Sequence, residues 1–258
     1  MKVRFLLAAL LMLGTPLLAV ANPSACKKTV YLTLDTGNMR DAIPIAEFLK
    51  SRNIRATFFL ANEKAFQGGH ALDAGWADYW RERAKEGHVF GSHTLRHGRI
   101  YADGAVSPQQ VSYRPQFGEQ AGERLSLSSA QFCEELKSVS KVFQSYTGQA
   151  LSGIWRAPGG KLSDAALISA RQCGFTHVGW SDTGFLGDEL DSKRFPNSML
   201  INKALKGVRN GDILLAHLGI WSRQEHFLPA FREIVAGLQD KGFCFATLKE
   251  HPDYAGIL

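Results

Sequence analysis

A distorted α/β barrel of about seven parallel strands, each followed by a helix, is the fold that the 258-residue sequence predicts. Three observations lead to it. Short apolar stretches alternate with amphipathic ones along the chain, which implies parallel pairing through right-handed crossovers. Reactive polar side chains then stand at the C-terminal ends of five of those apolar stretches. In a parallel α/β barrel all such ends open on one rim, where active sites are built, whereas an open doubly wound sheet gathers them only near its switch point. Finally, no repeat, low-complexity tract or Pro/Ser-rich linker divides the chain, and its length suits one domain with a complete core.

The first residues form a leader. Lys2 and Arg4 precede an apolar run from Phe5 to Val20, and Ala19-Val20-Ala21 is a small-residue cleavage site. Residues 1–21 therefore read as a secretory signal peptide and 22–258 as the mature domain. Gly14 and Pro16 argue against a membrane anchor, and no later stretch is long and apolar enough to span a bilayer. The expectation is a periplasmic or secreted protein with no membrane insertion after cleavage.

The strands and helices follow in order. "TVYLTLD" is the first strand, with an amphipathic helix over 41–52 after it. "IRATFFLA" precedes the helical "DAGWADYWRERAKEG", closed by Gly87. "HVFGSHT" is the third strand. The segment 98–128 breaks the rhythm: it is polar, rich in Gly, Pro and Gln, and reads as a long loop, either functional or mobile. Helices over 129–146, 163–173, 199–208 and 227–241 then alternate with the strands "LSGIWRAPG", "THVGWSD", "GDILLAHLG" and "FCFATL".

Losing the leader removes Lys2 and Arg4 and brings the formal net charge from +6 to +4. That excess, with no arginine-rich arm or basic-aromatic stripe, excludes nucleic acid as the expected partner. Oligomeric state is not legible in the sequence.

On the predicted rim, Asp35 ends the first strand, His93 and His97 follow the third, and Arg156 ends the fourth. Asp182 ends the fifth and His217 the sixth. The i, i+4 spacing of His93 and His97 puts two imidazoles on one side of a helical turn, which suits a divalent metal. His88 is expected to begin its strand and satisfy a local hydrogen bond.

With these residues in place, the chain resembles the polysaccharide deacetylase family, the NodB homology domain or carbohydrate esterase family 4. That family carries, in order, T-F-D-D-G, H-(S/T)-x-x-H, an R-x-x-P-x-G-like motif, D-x-x-D-W and L-x-H. Here stand "TLDTG" ending at Gly37, "HTLRH" from His93, "RAPGG" from Arg156, "WSDTGF" around Asp182 and "LAH" ending at His217. The likeness runs from about 28 to 248. The first motif lacks its second acid, and the fourth lacks its second acid and its tryptophan.

The resemblance implies a NodB-like barrel and a metal-dependent hydrolase that removes N-acetyl groups from amino sugars of a polysaccharide such as peptidoglycan. Asp35 would be the general base and His217 the general acid. Arg156 would pin Asp35, and Asp182 would orient His217. His93 and His97 would hold the ion, expected to be zinc, with cobalt or nickel as alternatives. Thr36 stands where the family has a metal-binding acid and would be a weak, neutral ligand. An aspartate there would restore an anionic one. Gly159 would offer an oxyanion-binding N–H, Leu215 would line the acetyl pocket, and Trp180 and Phe185 would floor the substrate groove. The alternatives are a catalytically weakened carbohydrate-binding protein of the same fold and an O-acetyl sugar esterase.

Four cysteines survive cleavage and meet an oxidising compartment. In a nearly closed barrel, Cys26 and Cys244 both fall at the N-terminal rim, so a Cys26–Cys244 bridge is expected. Cys133 and Cys173 fall at the start of one helix and the end of another, and are expected to remain thiols.

Overall fold

Strand β1 (Lys28–Asp35) has two faces with different destinations. Val30, Leu32 and Leu34 point outward into the main apolar cluster, while Tyr31 points inward to a smaller one with Phe59, Ile154, Val178 and Ile213. Because side chains alternate along a strand, Thr33 and Asp35 share the inward face with Tyr31. These residues belong to a computed structural model that describes residues 26–102, 107 and 109–258. The expected leader over 1–21 lies outside the described residues.

Around β1 the parallel strands assemble in ring order. β2 (Thr57–Leu60) pairs with β1, β3 (Val89–Ser92) with β2, β7 (Ile154–Trp155) with β3, and β8 (Thr176–His177) with β7. β10 (Phe243–Ala246) pairs with the first half of β1, on the same edge as β2, and β9 (Ile213–His217) pairs along the other edge; Tyr31 is register partner to Ala246 on one side and Ile213 on the other. The ring is completed by the chain after β8. Leu215 N–H donates to Gly184 O at 2.9 Å and Leu186 N–H to Leu215 O at 3.1 Å, so 184–186 lies alongside β9. This is the distorted seven-stranded parallel barrel that the alternation predicts.

The helices cover the outside: α1 (Ala42–Ser51), α2 (Ala77–Lys85), α3 (Ser129–Thr147), α4 (Asp164–Gln172), α5 (Asn197–Gly207) and α6 (Leu228–Asp240). α1 and α6 show the logic most directly. Ile45 and Leu49 of one, and Phe231, Ile234, Val235 and Leu238 of the other, recur at helical spacing and bury against the outward face of the sheet. α3 starts on a capping box, Ser128 with Gln131, and stops at Gly148, whose φ is 75°. Among the described residues no helix is long and apolar enough to cross a membrane.

Two expectations are corrected. The segment 98–128 is not merely a loop: β4 (Arg99–Tyr101), β5 (Val111–Arg114) and β6 (Leu125–Leu127) form an antiparallel sheet. Its Ile100, Val111, Tyr113 and Leu127 pack into a cluster with Phe132 and Leu136 of α3 and Trp155 of β7. Ile100, Val111, Tyr113 and Leu127 face inward, whereas Tyr101 faces outward beneath Arg99 and Arg124.

Cys133 and Cys173 are also bridged, with Cα atoms 6.0 Å apart, as are Cys26 and Cys244 at 5.8 Å. α3 and α4 do run parallel, but out of step. Ser129 meets Ser169 through their hydroxyls at 2.9 Å, and Cys133 meets Cys173 four residues further along each chain. The start of α3 therefore lies level with the end of α4, which brings the second pair of cysteines together.

Candidate active site

The rim holds its charged groups in two sets. The first stands on strands. Asp35 and His217 are register partners at the ends of β1 and β9. Arg156, which is fully buried, donates from Nη1 to Asp35 Oδ1 at 2.9 Å and to Thr33 Oγ1 at 2.8 Å. Its remaining donors meet Val178 O and Gly179 O, and its plane lies over the Phe59 ring. Burial alone would push the Asp35 carboxyl pKa up. The positive charge of Arg156, aided by His93 and His217, outweighs it and holds the group below the usual carboxylate range.

His217 is held in the opposite state. Its Nδ1 lies 3.1 Å from both oxygens of Asp188, and its own backbone N–H donates to Asp188 Oδ2 at 2.7 Å. Nε2 faces Glu189 Oε1 at 3.3 Å. Burial favours the neutral ring, but the charge and hydrogen bond of Asp188, with Glu189 and Asp35 beyond, push the imidazole up to about 10.

The partner of His217 is thus Asp188, not the expected Asp182. The chain after β8 climbs alongside β9: Ser181 N–H bonds Ile213 O, Leu186 N–H bonds Leu215 O, and Asp188 receives His217 N–H. Asp182 is exposed and level with the beginning of β9, whereas His217 ends it. "GFLGDEL", with two acids just past the blurred motif, was the available signal.

The second set stands on turns. His93 remains tied to the barrel, its N–H donating to Leu60 O at 2.7 Å. The chain then turns with Thr94 at φ 61° and His97 at φ 45°, so the two imidazoles meet across a left-handed turn, not the helical one expected. Side chains from elsewhere hold this turn. Glu135 of α3 accepts from Arg96 N–H at 3.1 Å and Arg96 Nε at 2.6 Å. Tyr113 of β5 accepts from Gly98 N–H at 3.0 Å, and its hydroxyl reaches Glu135 Oε2 at 3.0 Å. The antiparallel sheet is therefore a brace for the histidine turn.

His93 Nδ1 lies 2.9 Å from Arg156 O, so it carries the proton and leaves a lone pair on Nε2. That lone pair faces His97 Nε2 at 3.2 Å and Asp35 Oδ2 at 3.4 Å. His97 Nδ1 is buried with no hydrogen-bond partner, and Glu63 Oε1 stands 3.7 Å from it. Either tautomer of His97 leaves a conflict. A proton on Nε2 turns the bare Nδ1 toward a carboxylate; a proton on Nδ1 sets two lone pairs against each other. A cation between the Nε2 atoms resolves the second conflict. Two nitrogens each about 2.0–2.1 Å from a tetrahedral ion stand about 3.4 Å apart, close to the spacing here. Among the described residues no three His, Cys, Asp or Glu side chains converge closely enough to cage an ion by themselves.

Thr36 departs from its expected role as a weak ligand. Its hydroxyl donates to Glu63 Oε2 at 2.6 Å and accepts from Ala61 N–H at 3.2 Å, so its proton and one of its two lone pairs are taken. Gly37 has φ 55°, and a Cβ there would run into the Gly219 carbonyl oxygen, which accounts for glycine in "TLDTG".

The other expected residues line the same rim. Leu215 is buried on the face of β9 that carries His217. Gly159 is exposed at φ 62° with open space around it. Trp180 lies over the Arg156 guanidinium and neighbours Phe185, the two rings 6.4 Å apart. His88 stands one residue before β3 and is buried, and its hydrogen bond is not the local one expected: Nδ1 accepts from Ala56 N–H, 32 residues away, at 2.9 Å. Two exposed aromatics went unnoticed in the sequence. Phe66, after β2, and Trp221, after β9, lie 5.9 Å apart, with Arg40 over Phe66. A hollow of about 900 Å³ between α1 and α2 contains none of the rim residues.

Residues 22–178 match the family model described as polysaccharide deacetylase. A peptidoglycan-N-acetylglucosamine deacetylase of Bacillus cereus is 24% identical over 225 residues, covering 87% of this chain and 88% of the relative. The same fold occurs in a family 4 acetyl xylan esterase from Clostridium thermocellum, solved with a cobalt ion (TM-score 0.63, 22% identity, 90% of this chain and 93% of that one). It also occurs in a CE4 family pseudoenzyme from Bacillus anthracis (TM-score 0.62, 19% identity, 88% and 66%).

Proposed function

The chain belongs to the polysaccharide deacetylase family, and on that premise we propose that it is an exported hydrolase removing N-acetyl groups from amino sugars of a cell-envelope or extracellular polysaccharide. Peptidoglycan is the first candidate, in keeping with the Bacillus cereus relative. The observation that carries this reading is the pairing of Asp35 with His217 on neighbouring strand ends, one held anionic and the other held protonated. Two groups pushed apart in this way are what a base and an acid need at one pH.

In that reading Asp35 Oδ2 takes a proton from the water that attacks the amide carbonyl. Arg156 fixes the carboxylate and keeps it ionised. His217 gives its Nε2 proton to the departing amine as the C–N bond breaks, and Asp188 on Nδ1 stabilises the imidazolium until then. Acetate and the free amino sugar result. His93 and His97 would hold a divalent ion, zinc or else cobalt or nickel, which would acidify the water and polarise the acetyl carbonyl. The Gly159 N–H would receive the carbonyl oxygen as it gains charge. Leu215 would bound the acetyl methyl, with Trp180 and Phe185 beneath the sugar. The exposed Phe66 and Trp221 suit the apolar face of a further sugar ring. The leader-like N-terminus and two disulfides support export.

A second reading is favoured by one observation. Thr36 replaces the usual metal-binding acid, so a protein that binds glycan but cleaves weakly is the rival, with an O-acetyl sugar esterase beyond it. Metal analysis of the purified protein, coupled to acetate release from peptidoglycan fragments, chitooligosaccharides and acetylated xylan, separates the three. Release from the N-acetylated glycans is expected. Release from xylan alone indicates the esterase, and glycan binding without release indicates the weakened binder.

A further inference from the structure

Glu63 has no role in the reaction described above, yet it is the best-placed acid beside the histidine turn. It lies three residues past β2, half-buried, and one of its oxygens is fully engaged. Oε2 accepts the Thr36 hydroxyl at 2.6 Å and the Gly37 N–H at 2.8 Å. That leaves Oε1, which stands 3.7 Å from the buried, unpartnered Nδ1 of His97. His93 has no such vacancy, since the Arg156 carbonyl already meets its Nδ1.

We propose that Glu63 is the positioning carboxylate of the histidine pair. It accepts the Nδ1 proton of His97, fixes that ring's tautomer, and so turns the Nε2 lone pair of His97 toward that of His93. Thr36 is then the clamp on Glu63 and not a ligand. Carboxylates in this relation to a metal-binding imidazole orient the ring and raise its basicity. The negative charge missing at position 36 returns through Glu63, from the neighbouring strand's loop. A small tilt of the His97 ring brings 3.7 Å within hydrogen-bond range. The need for an ion rests on the deacetylase reading; the Glu63–His97 pairing is a property of the metal-free chain.

Glu63→Gln tests this sharply. Two donors, Thr36 Oγ1 and Gly37 N–H, face one end of the side chain, so a glutamine must place its carbonyl there. Its NH2 then faces His97 Nδ1 and drives the proton of that ring onto Nε2. Long-range 1H–15N spectra of the imidazoles in metal-free protein should show His97 as the Nδ1–H tautomer in wild type and as Nε2–H in Glu63→Gln. Calorimetric titration with zinc should show Glu63→Gln binding about 10–100-fold more weakly, the usual cost of losing such support. Thr36→Val should weaken binding less, and should add nothing in the Glu63→Gln background, because Thr36 acts through Glu63. Thr36→Asp should give no gain, since it sets a second carboxylate against Glu63.

A wild-type His97 with its proton on Nε2 overturns the proposal. So do additive losses in the double variant, or a tenfold gain from Thr36→Asp. If neither wild type nor His93→Ala binds zinc while the tautomer still follows Glu63, the pairing stands and the metal-dependent deacetylase reading falls.

Discussion

The two sides of the rim are built by different means. Asp35, Arg156 and His217 take their places from the barrel: two are register partners in adjacent strands, about 4.8 Å apart by ladder spacing, and the third follows directly on β7. His97 takes its place from a left-handed turn held by Glu135 of α3 and Tyr113 of β5. A ladder positions any side chain that happens to end it. A clamped turn positions only what its clamps permit. The strand side is therefore a feature of the fold, and the turn side a feature of this particular set of side chains.

The largest effect expected from breaking this contrast lies on the strand side. Asp35→Asn and His217→Ala should each lower turnover by about 10²-fold or more, as general acid–base groups do, with circular dichroism unchanged. Acetate release within a few-fold of wild type in both would end the assignment.

On the turn side, Glu135→Ala removes a buried carboxylate and leaves the Nε and backbone N–H of Arg96 without their acceptor. It should cost about 1–3 kcal/mol of stability, read by thermal or urea unfolding, and should weaken zinc binding. Unchanged unfolding and unchanged zinc affinity would show that the turn does not need its brace.

Asp188→Asn makes the finest cut at neutral pH. His217 must be protonated to act as the acid, and its protonated form persists to about pH 10. Asp188 is the leading cause that raises it, so the amide should bring the imidazole pKa down and move the alkaline limb of kcat/KM to lower pH. A limb that stays in place would show that another group sets it.

This division also explains what could be read from the sequence. Strand and helix periodicity located the barrel, and strand ends carried Asp35, His93, Arg156 and His217, because each is a local pattern followed by a polar residue. Cys26 and Cys244 could be matched from barrel order alone. Glu63 and Asp188 escaped because each lies past a strand end and reaches its partner through a turn whose course no periodicity records. Glu135 looked like any polar position of an amphipathic helix, yet it is buried. The sheet of β4, β5 and β6 escaped because short strands with one inward residue in two resemble loop composition when turns outnumber them. The Cys133–Cys173 bridge depends on the sliding of two helices past each other, which only packing decides.

The Cys26–Cys244 bridge carries a consequence of a different kind. It spans 218 positions of the chain and encloses the shorter Cys133–Cys173 loop. A single proteolytic nick anywhere between its ends, for instance in the exposed turn over 118–124, therefore sets no fragment free. The two pieces stay joined until the bond is reduced. Under the export proposed above, clipping and loss of fragments are then separate events, and a reducing gel separates the clipped molecule from the intact one where a non-reducing gel keeps its pieces together.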